Sequence, residues 1–160
     1  MTRITPCLWF ADNNTGEAVE YYLSVFPNAR IISRELFPEV GLDGQVASMV
    51  GKLASLVFEL DGLRLMAFDG GPHFRLSEAF SLTVECADQN EIDYYWEKLS
   101  HVPESEQCGW CKDRFGVSWQ IVPKDADSLL MKNEATIRAF MQMKKLDIAR
   151  LKEAAGEKPD

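Results

Sequence analysis

Two segments of the chain carry apolar side chains at the spacing of an amphipathic helix. In each, the apolar residues fall at positions i, i+3, i+4 and i+7, which share one face of a helix. The two sets lie 73 residues apart and consist of Val19, Tyr22, Leu23 and Phe26, and of Ile92, Tyr95, Trp96 and Leu99. Asn14 stands three residues before Glu17, and Asp88 stands three before Glu91, as in a capping box. The shared caps and stripes predict helices within an internal repeat.

The segments beside each predicted helix alternate apolar and polar residues, which is typical of strands. In the first half, strands are predicted at 4–10, 29–37, 46–50, 53–60 and 63–68. Asp61-Gly62 separates the last two of these strands and is a strong signal for a two-residue hairpin turn. In the second half, strands are predicted at 80–86, 107–112 and 117–122. Each half therefore reads strand, helix and then further strands.

This repeat divides most of the chain into two modules. We predict the first module at residues 3–69 and the second at residues 78–123. The linker between them contains Gly70-Gly71-Pro72, a strong turn signal.

A helical arm is predicted after the modules, at residues 124–156, as part of one fused domain. Asn133 is expected to cap a helix in this arm. Residues 1–131 hold 10 basic and 20 acidic side chains, whereas residues 132–152 hold 6 basic and 2 acidic ones. Three alternatives stay open for this basic arm: it docks on the acidic body, it docks on a partner subunit, or it is a solvated tail.

Composition restricts the class of protein. The length of 160 residues suits one domain or two small fused modules, and 46% hydrophobic with 26% charged residues is a globular composition. The net charge of −8 disfavours nucleic acid and anionic membranes as partners. No apolar run approaches the roughly 20 residues that span a bilayer. The N-terminus lacks the apolar core of a signal peptide, so the four cysteines are expected to be reduced thiols in the cytoplasm.

A C-x-x-C pattern at residues 108–111 raises the question of a zinc or redox site. A zinc site needs a second pair of ligands at suitable spacing, and neither Cys7 nor Cys86 belongs to such a pair. A redox pair usually stands at a helix start, whereas this segment is predicted to be a strand, where residues three apart project to opposite faces. The pattern is therefore expected to be structural. His101 is expected to stabilise a helix end rather than to catalyse.

Four segments together resemble one known group, the PhnB-like proteins of the vicinal oxygen chelate superfamily. These segments are ITPCLWF at 4–10, YYLSVFPN at 21–28, GGPHF at 70–74 and FGVSWQIVP at 115–123. The superfamily includes glyoxalase I, extradiol dioxygenases, fosfomycin-resistance proteins and bleomycin-binding proteins. The PhnB-like group often carries the label 3-demethylubiquinone-9 3-methyltransferase.

The resemblance implies an α+β fold. Two βαβββ modules would form curled mixed sheets around a cleft, with helices on the outer faces and a C-terminal helical extension. It also implies a homodimer, in which the cleft is completed across the interface or the arm is swapped between subunits.

Side-chain alternation then assigns residues to the two faces of each implied sheet. The more uniformly apolar faces, with Ile4, Leu8 and Phe10 in the first strand and Phe80, Leu82 and Val84 in its repeat mate, are expected to lie under the helices. The remaining faces point to the cleft. The candidate ligand-binding residues there are Thr5, Trp9, Arg64, Met66, Ser81, Glu85 and Gln120. His73, in the linker, and Glu85 are the candidate acids or bases.

Metal-using members of the superfamily place one ligand, usually His or Glu, on each of four strands. The matching positions in this sequence are Thr5, Met66, Ser81 and Gln120. A transition-metal site requires imidazole and carboxylate ligands, which hydroxyls, an amide and a thioether do not replace. We therefore expect no metal and no cofactor.

Metal-independent binding of a small molecule in the cleft is the function that these observations favour. One alternative is an enzyme on a small polar metabolite, either a glyoxalase-like lyase or isomerase or the methyltransferase of the family label. The sequence lacks a glycine-rich turn between strand and helix, which disfavours methyl transfer from S-adenosylmethionine by the common doubly wound class. A further alternative is a dimeric protein with a relict cleft. The expected partners are a small molecule and a second copy of the chain.

Overall fold

The computed structural model describes residues 2–38 and 49–157. Contacts between residues divide the chain into two compact units, Met1–Leu76 and Ser77–Asp160.

The first unit is a four-stranded mixed sheet with one helix. Its elements are β1 (Cys7–Phe10), α1 (Thr15–Val25), β2 (Ala29–Leu36), β3 (Leu53–Leu60) and β4 (Leu63–Asp69). The strand order is β1-β4-β3-β2, with β1 parallel to β4 and the other pairs antiparallel. The predicted hairpin turn at Asp61-Gly62 is confirmed, and both residues have positive φ, which suits this turn type.

The second unit repeats this plan and adds the arm. Its elements are β5 (Ser81–Cys86), α2 (Gln89–Leu99), β6 (Trp110–Lys112), β7 (Ser118–Pro123), α3 (Ala126–Leu130), α4 (Glu134–Met141) and α5 (Ile148–Ala154). The strand order is β5-β7-β6, with β5 parallel to β7. The α+β class, the two mixed sheets and the C-terminal helices are thus confirmed.

Where the first sheet has its fourth strand, the described part of the second unit has isolated bonds to β6 instead of a strand. The His101 N–H donates to the Lys112 carbonyl at 2.9 Å, beyond the outer edge of β6. The chain then enters a 3₁₀ turn, Pro103–Ser105, that begins with proline. Because Pro103 has no N–H to donate, pairing with β6 stops there.

The described strands differ from the predicted strands at two places in the first unit. The predicted strand at 46–50 lies outside the described residues except for Met49 and Val50, which form a turn. The predicted strand at 4–10 begins only at Cys7, because Pro6 cannot donate to the ladder. Ile4 was expected to pack under a helix and is instead 94% exposed.

The burial pattern confirms the expected difference between the two faces of each sheet. Leu8 and Phe10 are 1% exposed in the sheet on which α1 packs, and in the second unit Trp119 and Ile121 are buried beneath α2. Phe80 is an exception at 45% exposed, because β5 starts one residue after it. Each sheet therefore buries one face in the hydrophobic core and leaves the other face outside that core.

The helix starts agree with the sequence in one unit and differ in the other. Asp88 accepts the Glu91 N–H at 3.0 Å, as its capping pattern predicts. The predicted cap Asn14 makes no such bond, and the Asp69 Oδ1 instead accepts the Thr15 N–H at 3.0 Å. In the first unit, the helix cap therefore comes from the end of β4, a residue 54 positions away in sequence.

Trp9 fixes the end of β4 to the turn that follows it. Its indole N–H donates to the Gly71 carbonyl at 2.8 Å, and its ring lies edge-on to Phe68 and Phe74. The ring presses on Gly70 so closely that a Cβ there would lie 2.1 Å from Cε2 of the indole. Only glycine fits at this position.

Gly70→Ala should therefore destabilise the first unit, because the added methyl displaces the Trp9 ring. Overpacking of this kind costs about 1–3 kcal/mol, or a melting temperature lower by roughly 3–10 °C. Gly16→Ala is the control, because its Cβ would have only one neighbour, at 3.8 Å, and alanine favours the helix. Equal melting temperatures for Gly70→Ala and the wild type would contradict the packing described here.

The arm docks on its own unit through backbone and side-chain bonds. The Cys108 N–H donates to the Met143 carbonyl at 2.8 Å, and the Gly109 N–H donates to the Lys144 carbonyl at 2.7 Å. The Gln89 amide on α2 donates to the Leu146 carbonyl and accepts the Ile148 N–H. Of the three alternatives left by the sequence, the structure shows the arm on the body of its own unit.

Opposite charges line this contact, as the distribution of charge along the sequence suggests. Lys144 lies 3.1 Å from Glu106, and Lys145 lies 2.6 Å from Asp93. Hydrogen bonds from Ser100 and Lys145, respectively, lower the pKa values of Glu106 and Asp93. These pairs are largely exposed, so the backbone bonds and buried apolar side chains of the arm hold it in place.

Gln89→Ala should loosen the arm, because the Leu146 carbonyl and the Ile148 N–H lose their partner. We expect faster hydrogen exchange at the amides of Cys108, Gly109 and Ile148, with unchanged exchange in the first unit. Gln142→Ala, at an exposed arm position, is the matched control and should exchange like the wild type. Unchanged exchange in Gln89→Ala would show that this amide does not hold the arm.

Candidate functional site

The open face of the second sheet and the arm enclose a cavity of about 460 Å³. The sheet forms its floor with side chains from all three strands, and α3 and α4 form a wall. The floor residues are Thr83, Glu85, Trp110, Gln120 and Val122, and the wall includes Leu130 and Phe140. This volume is within the range of small-molecule sites.

Strand register brings the floor residues together. Gln120 on β7 pairs with Thr83 on one side and with Trp110 on the other, so these three side chains form one row across the sheet. Glu85 and Val122 form the next row. Because successive side chains alternate between faces, the neighbours Cys111, Trp119 and Ile121 lie on the opposite face, where they are buried.

Ser81 orients the amide at the centre of the floor. The Gln120 Nε2 donates to the Ser81 Oγ at 2.9 Å. One of the two N–H groups of Nε2 is therefore occupied, and the second N–H and the Oε1 acceptor of the same amide are left for a ligand. The structure thus joins two of the predicted binding residues in a hydrogen bond.

Ser118 continues the same face of β7, two residues before Gln120. It pairs with Ser81 and with Lys112 in the ladder and is 2% exposed. Its hydroxyl has no hydrogen-bond partner in the described part of the chain. A buried hydroxyl without a partner is costly, so a polar group that reached it would gain a hydrogen bond.

Carboxylates predominate among the charged residues of the cavity. Glu85, Asp125 and Asp127 line it together with a single basic residue, Lys124. Glu85 forms no ion pair with any residue in the described ranges. The cavity therefore presents a formal charge of −2 to a ligand.

The seven predicted binding residues are divided between the two units. Ser81, Glu85 and Gln120 share the open face of the second sheet, where Glu85 and Gln120 line the cavity and Ser81 orients Gln120. Thr5, Trp9, Arg64 and Met66 belong to the first unit. The Trp9 indole N–H donates a hydrogen bond to the Gly71 carbonyl in that unit. His73 lies in an exposed turn of the same unit.

Sequence reasoning missed the aromatic and helical walls of the cavity. The alternation of Trp110, Cys111 and Lys112 could have assigned Trp110 to the open face, since Cys111 is the buried residue of the three. Nothing in the sequence placed Phe140 or α3 on this sheet, because their position depends on how the arm folds back.

The residues present do not fit the metal centre that the resemblance implies. Of the four matching positions, Ser81 and Gln120 carry a neutral hydroxyl and a neutral amide that are hydrogen-bonded to each other. Thr5 and Met66 offer a hydroxyl and a thioether, which are weak donors for a divalent ion. Within residues 2–38 and 49–157, no group of three or more His, Cys, Asp or Glu side chains is placed to hold a metal ion.

The C-x-x-C pattern is not the regular strand that the sequence predicts. Cys108 lies in a turn with φ of +53°, followed by Gly109 with φ of +81°, and β6 starts only at Trp110. A Cβ at Gly109 would lie 2.9 Å from the Ile121 carbonyl, so the turn requires glycine. Cys108 lines the cavity, whereas Cys111 is buried under α2, and both are free thiols.

Comparisons with known proteins agree with this architecture. The sequence profile of the family described as 3-demethylubiquinone-9 3-methyltransferase matches residues 2–122. The PhnB protein from Bacillus cereus is 30% identical over 76% of this chain and 99% of that chain, with a TM-score of 0.59. A protein from Pseudomonas aeruginosa is 18% identical over 77% and 98% of the two chains, with a TM-score of 0.57.

The fosfomycin resistance protein FosX from Listeria monocytogenes is a more distant neighbour. It is 15% identical over 77% of this chain and 91% of that chain, with a TM-score of 0.47. No curated protein matches the sequence significantly. Among the described helices, none combines the length and the hydropathy required to cross a membrane.

The fold is that of the vicinal oxygen chelate superfamily, as the sequence indicates. Within it, the chain belongs to the PhnB-like family described as 3-demethylubiquinone-9 3-methyltransferase. The match ends at residue 122, so α3 and α4, which form a wall of the cavity, lie beyond the matched residues.

The four thiols should differ sharply in reactivity towards iodoacetamide. Burial raises the pKa of Cys86 and of Cys111 to about 12, so at pH 8 only about one in ten thousand of these thiols is the reactive thiolate. We expect Cys108 to be alkylated in the native protein and Cys86 and Cys111 only after denaturation. Mass spectrometry of tryptic peptides measures the alkylation of each cysteine. If Cys111 were labelled in the native protein as fast as Cys108, the assignment of Cys111 to the buried face of the second sheet would be wrong.

Proposed function

We propose that the cavity of the second unit binds a small organic molecule without the help of a metal ion. The observation that carries the proposal is the combination, in one cavity of about 460 Å³, of aromatic walls and an oriented amide. Small-molecule sites typically join apolar walls to a few fixed polar groups in this way. Trp110 on the floor and Phe140 in the wall are the aromatic surfaces, and Gln120 is the fixed group.

The chemistry of the donors supports binding without a metal. The polar groups that face the ligand are an amide, a hydroxyl and carboxylates at Gln120, Thr83 and Glu85. These groups recognise a ligand by hydrogen bonds and charge, and Glu85 is also the proposed acid or base if the ligand is turned over. The contacts predicted in the first unit, Thr5, Trp9, Arg64 and Met66, stay predictions outside this cavity. We also propose a homodimer and a cytoplasmic location.

A thermal-shift screen of metabolites and antibiotics tests this proposal. A ligand at one hundred times its Kd stabilises the native state by about 2.7 kcal/mol, which raises the melting temperature by roughly 5–10 °C. Thr83→Trp should abolish the shift, because Thr83 is exposed on the cavity floor and tryptophan is accepted in strands. Ile32→Trp adds the same side chain to an exposed strand position of the first unit and should keep the shift.

Two outcomes would overturn the proposal. One is a screen in which no compound stabilises the wild type. The other is a compound that stabilises Thr83→Trp as much as the wild type, because that compound binds elsewhere. S-adenosylmethionine belongs in the screen, since the description of the family names a methyltransferase.

A further inference from the structure

We propose that the ligand of this cavity is an organic cation, with a flat apolar body and a protonated nitrogen. The inference deepens the proposed function and rests on it, because it names the ligand class for the same cavity. Three kinds of observation within the second unit support it: the charges that line the cavity, the orientation of its central amide, and its aromatic walls.

The charged residues that line the cavity indicate the sign of the charge on the ligand. Three carboxylates and one lysine line the cavity, and Glu85 has no ion-pair partner among the described residues. A cation that enters is attracted by this excess, whereas an anion such as a phosphonate or a carboxylate is repelled. The attraction acts over a few ångströms and is weakened by salt.

The floor of the cavity offers hydrogen-bond acceptors, which a cation with N–H groups can satisfy. Ser81 accepts one of the two N–H groups of the Gln120 Nε2, which orients the amide and leaves its Oε1 acceptor, beside one N–H donor, for a ligand. Carboxylate oxygens only accept when ionised.

Aromatic side chains suit the remainder of such a ligand. Trp110 lies in the central row of the floor, and Phe140 projects from α4 into the wall. Their ring faces attract both flat apolar groups and cations, tryptophan most strongly. A planar cation therefore finds one aromatic partner on the floor of the cavity and another in its wall.

Three probes of one shape test the charge of the ligand: benzamidine, which is a cation at pH 7, benzamide, which is neutral, and benzoate, which is an anion. Each is titrated into the full-length protein while the indole N–H of Trp110, assigned with Trp110→Phe, is followed by NMR. We expect benzamidine to bind at least fivefold more tightly than benzamide, with benzoate weakest. Raising the salt from 20 to 300 mM should reduce this preference.

A pair of variants tests whether Glu85 causes the preference for benzamidine over benzamide. Glu85→Gln should reduce the preference for benzamidine over benzamide about threefold and leave the affinity for benzamide unchanged. Glu104→Gln removes the same charge from an exposed position in the 3₁₀ turn and should change neither affinity. Both side chains are exposed, so both variants should fold.

The outcomes separate this inference from the proposed function. If benzoate or benzamide perturbs Trp110 at concentrations as low as benzamidine does, the cavity binds small molecules but the assignment to cations is wrong. If neither these probes nor any compound of the thermal-shift screen perturbs Trp110, the proposed function fails and the inference fails with it.

Discussion

In the described part of the chain, each sheet has one helix packed on its apolar face, and that constraint determines where a ligand can bind. The apolar face of the second sheet is buried under α2 with Trp119 and Ile121 at its centre. Side-chain alternation then forces Thr83, Gln120 and Trp110 onto the other face in a single row. The polar and aromatic character of that face is compatible with folding because the hydrophobic core does not depend on it.

The buried face also fixes the geometry of the hairpin that carries Gln120. The carboxylate of Asp113, itself 1% exposed, accepts the N–H groups of Phe115 and Val117 and the indole N–H of Trp119. Three hydrogen bonds to a buried carboxylate are strong, because the group is charged and shielded from water. Gln120 directly follows Trp119 on β7. Its backbone is therefore fixed by this hairpin, and its side chain is fixed by the hydrogen bond to Ser81.

The arm converts the open face of the second sheet into a cavity. It is held at Cys108 and Gly109 by backbone bonds and at Gln89 by the amide on α2, and the turn at Gly109 tolerates no side chain. The arm lies beyond the residues that match the family profile. The matched core therefore supplies the floor of the site, and the C-terminal segment of this chain supplies a wall and two of the three carboxylates.

The sequence predicted the features that local periodicity controls, and it missed those that depend on packing between distant segments. The helix stripes, the hairpin at Asp61-Gly62 and the cap at Asp88 are local patterns, and the structure contains all of them. The cap at Thr15 was not predictable from neighbouring residues, because Asp69 reaches it from the far end of the module.

The same distinction applies to the candidate site. Glu85 and Gln120 could be assigned to an open face from the alternation of their strands, and both line the cavity. Phe140 and the residues of α3 could not, because the sequence left open whether the arm docks on its own body. The opposite net charges of the body and the arm indicated that the arm docks on the body. They did not indicate which residues of the arm contact which residues of the sheet.

The most direct test of the account is a crystal structure of the protein soaked with the compound that raises its melting temperature most. The account predicts difference density between Trp110, Gln120 and α3 of the second unit. Density against Trp9 in the first unit, with the cavity of the second unit empty, would contradict it.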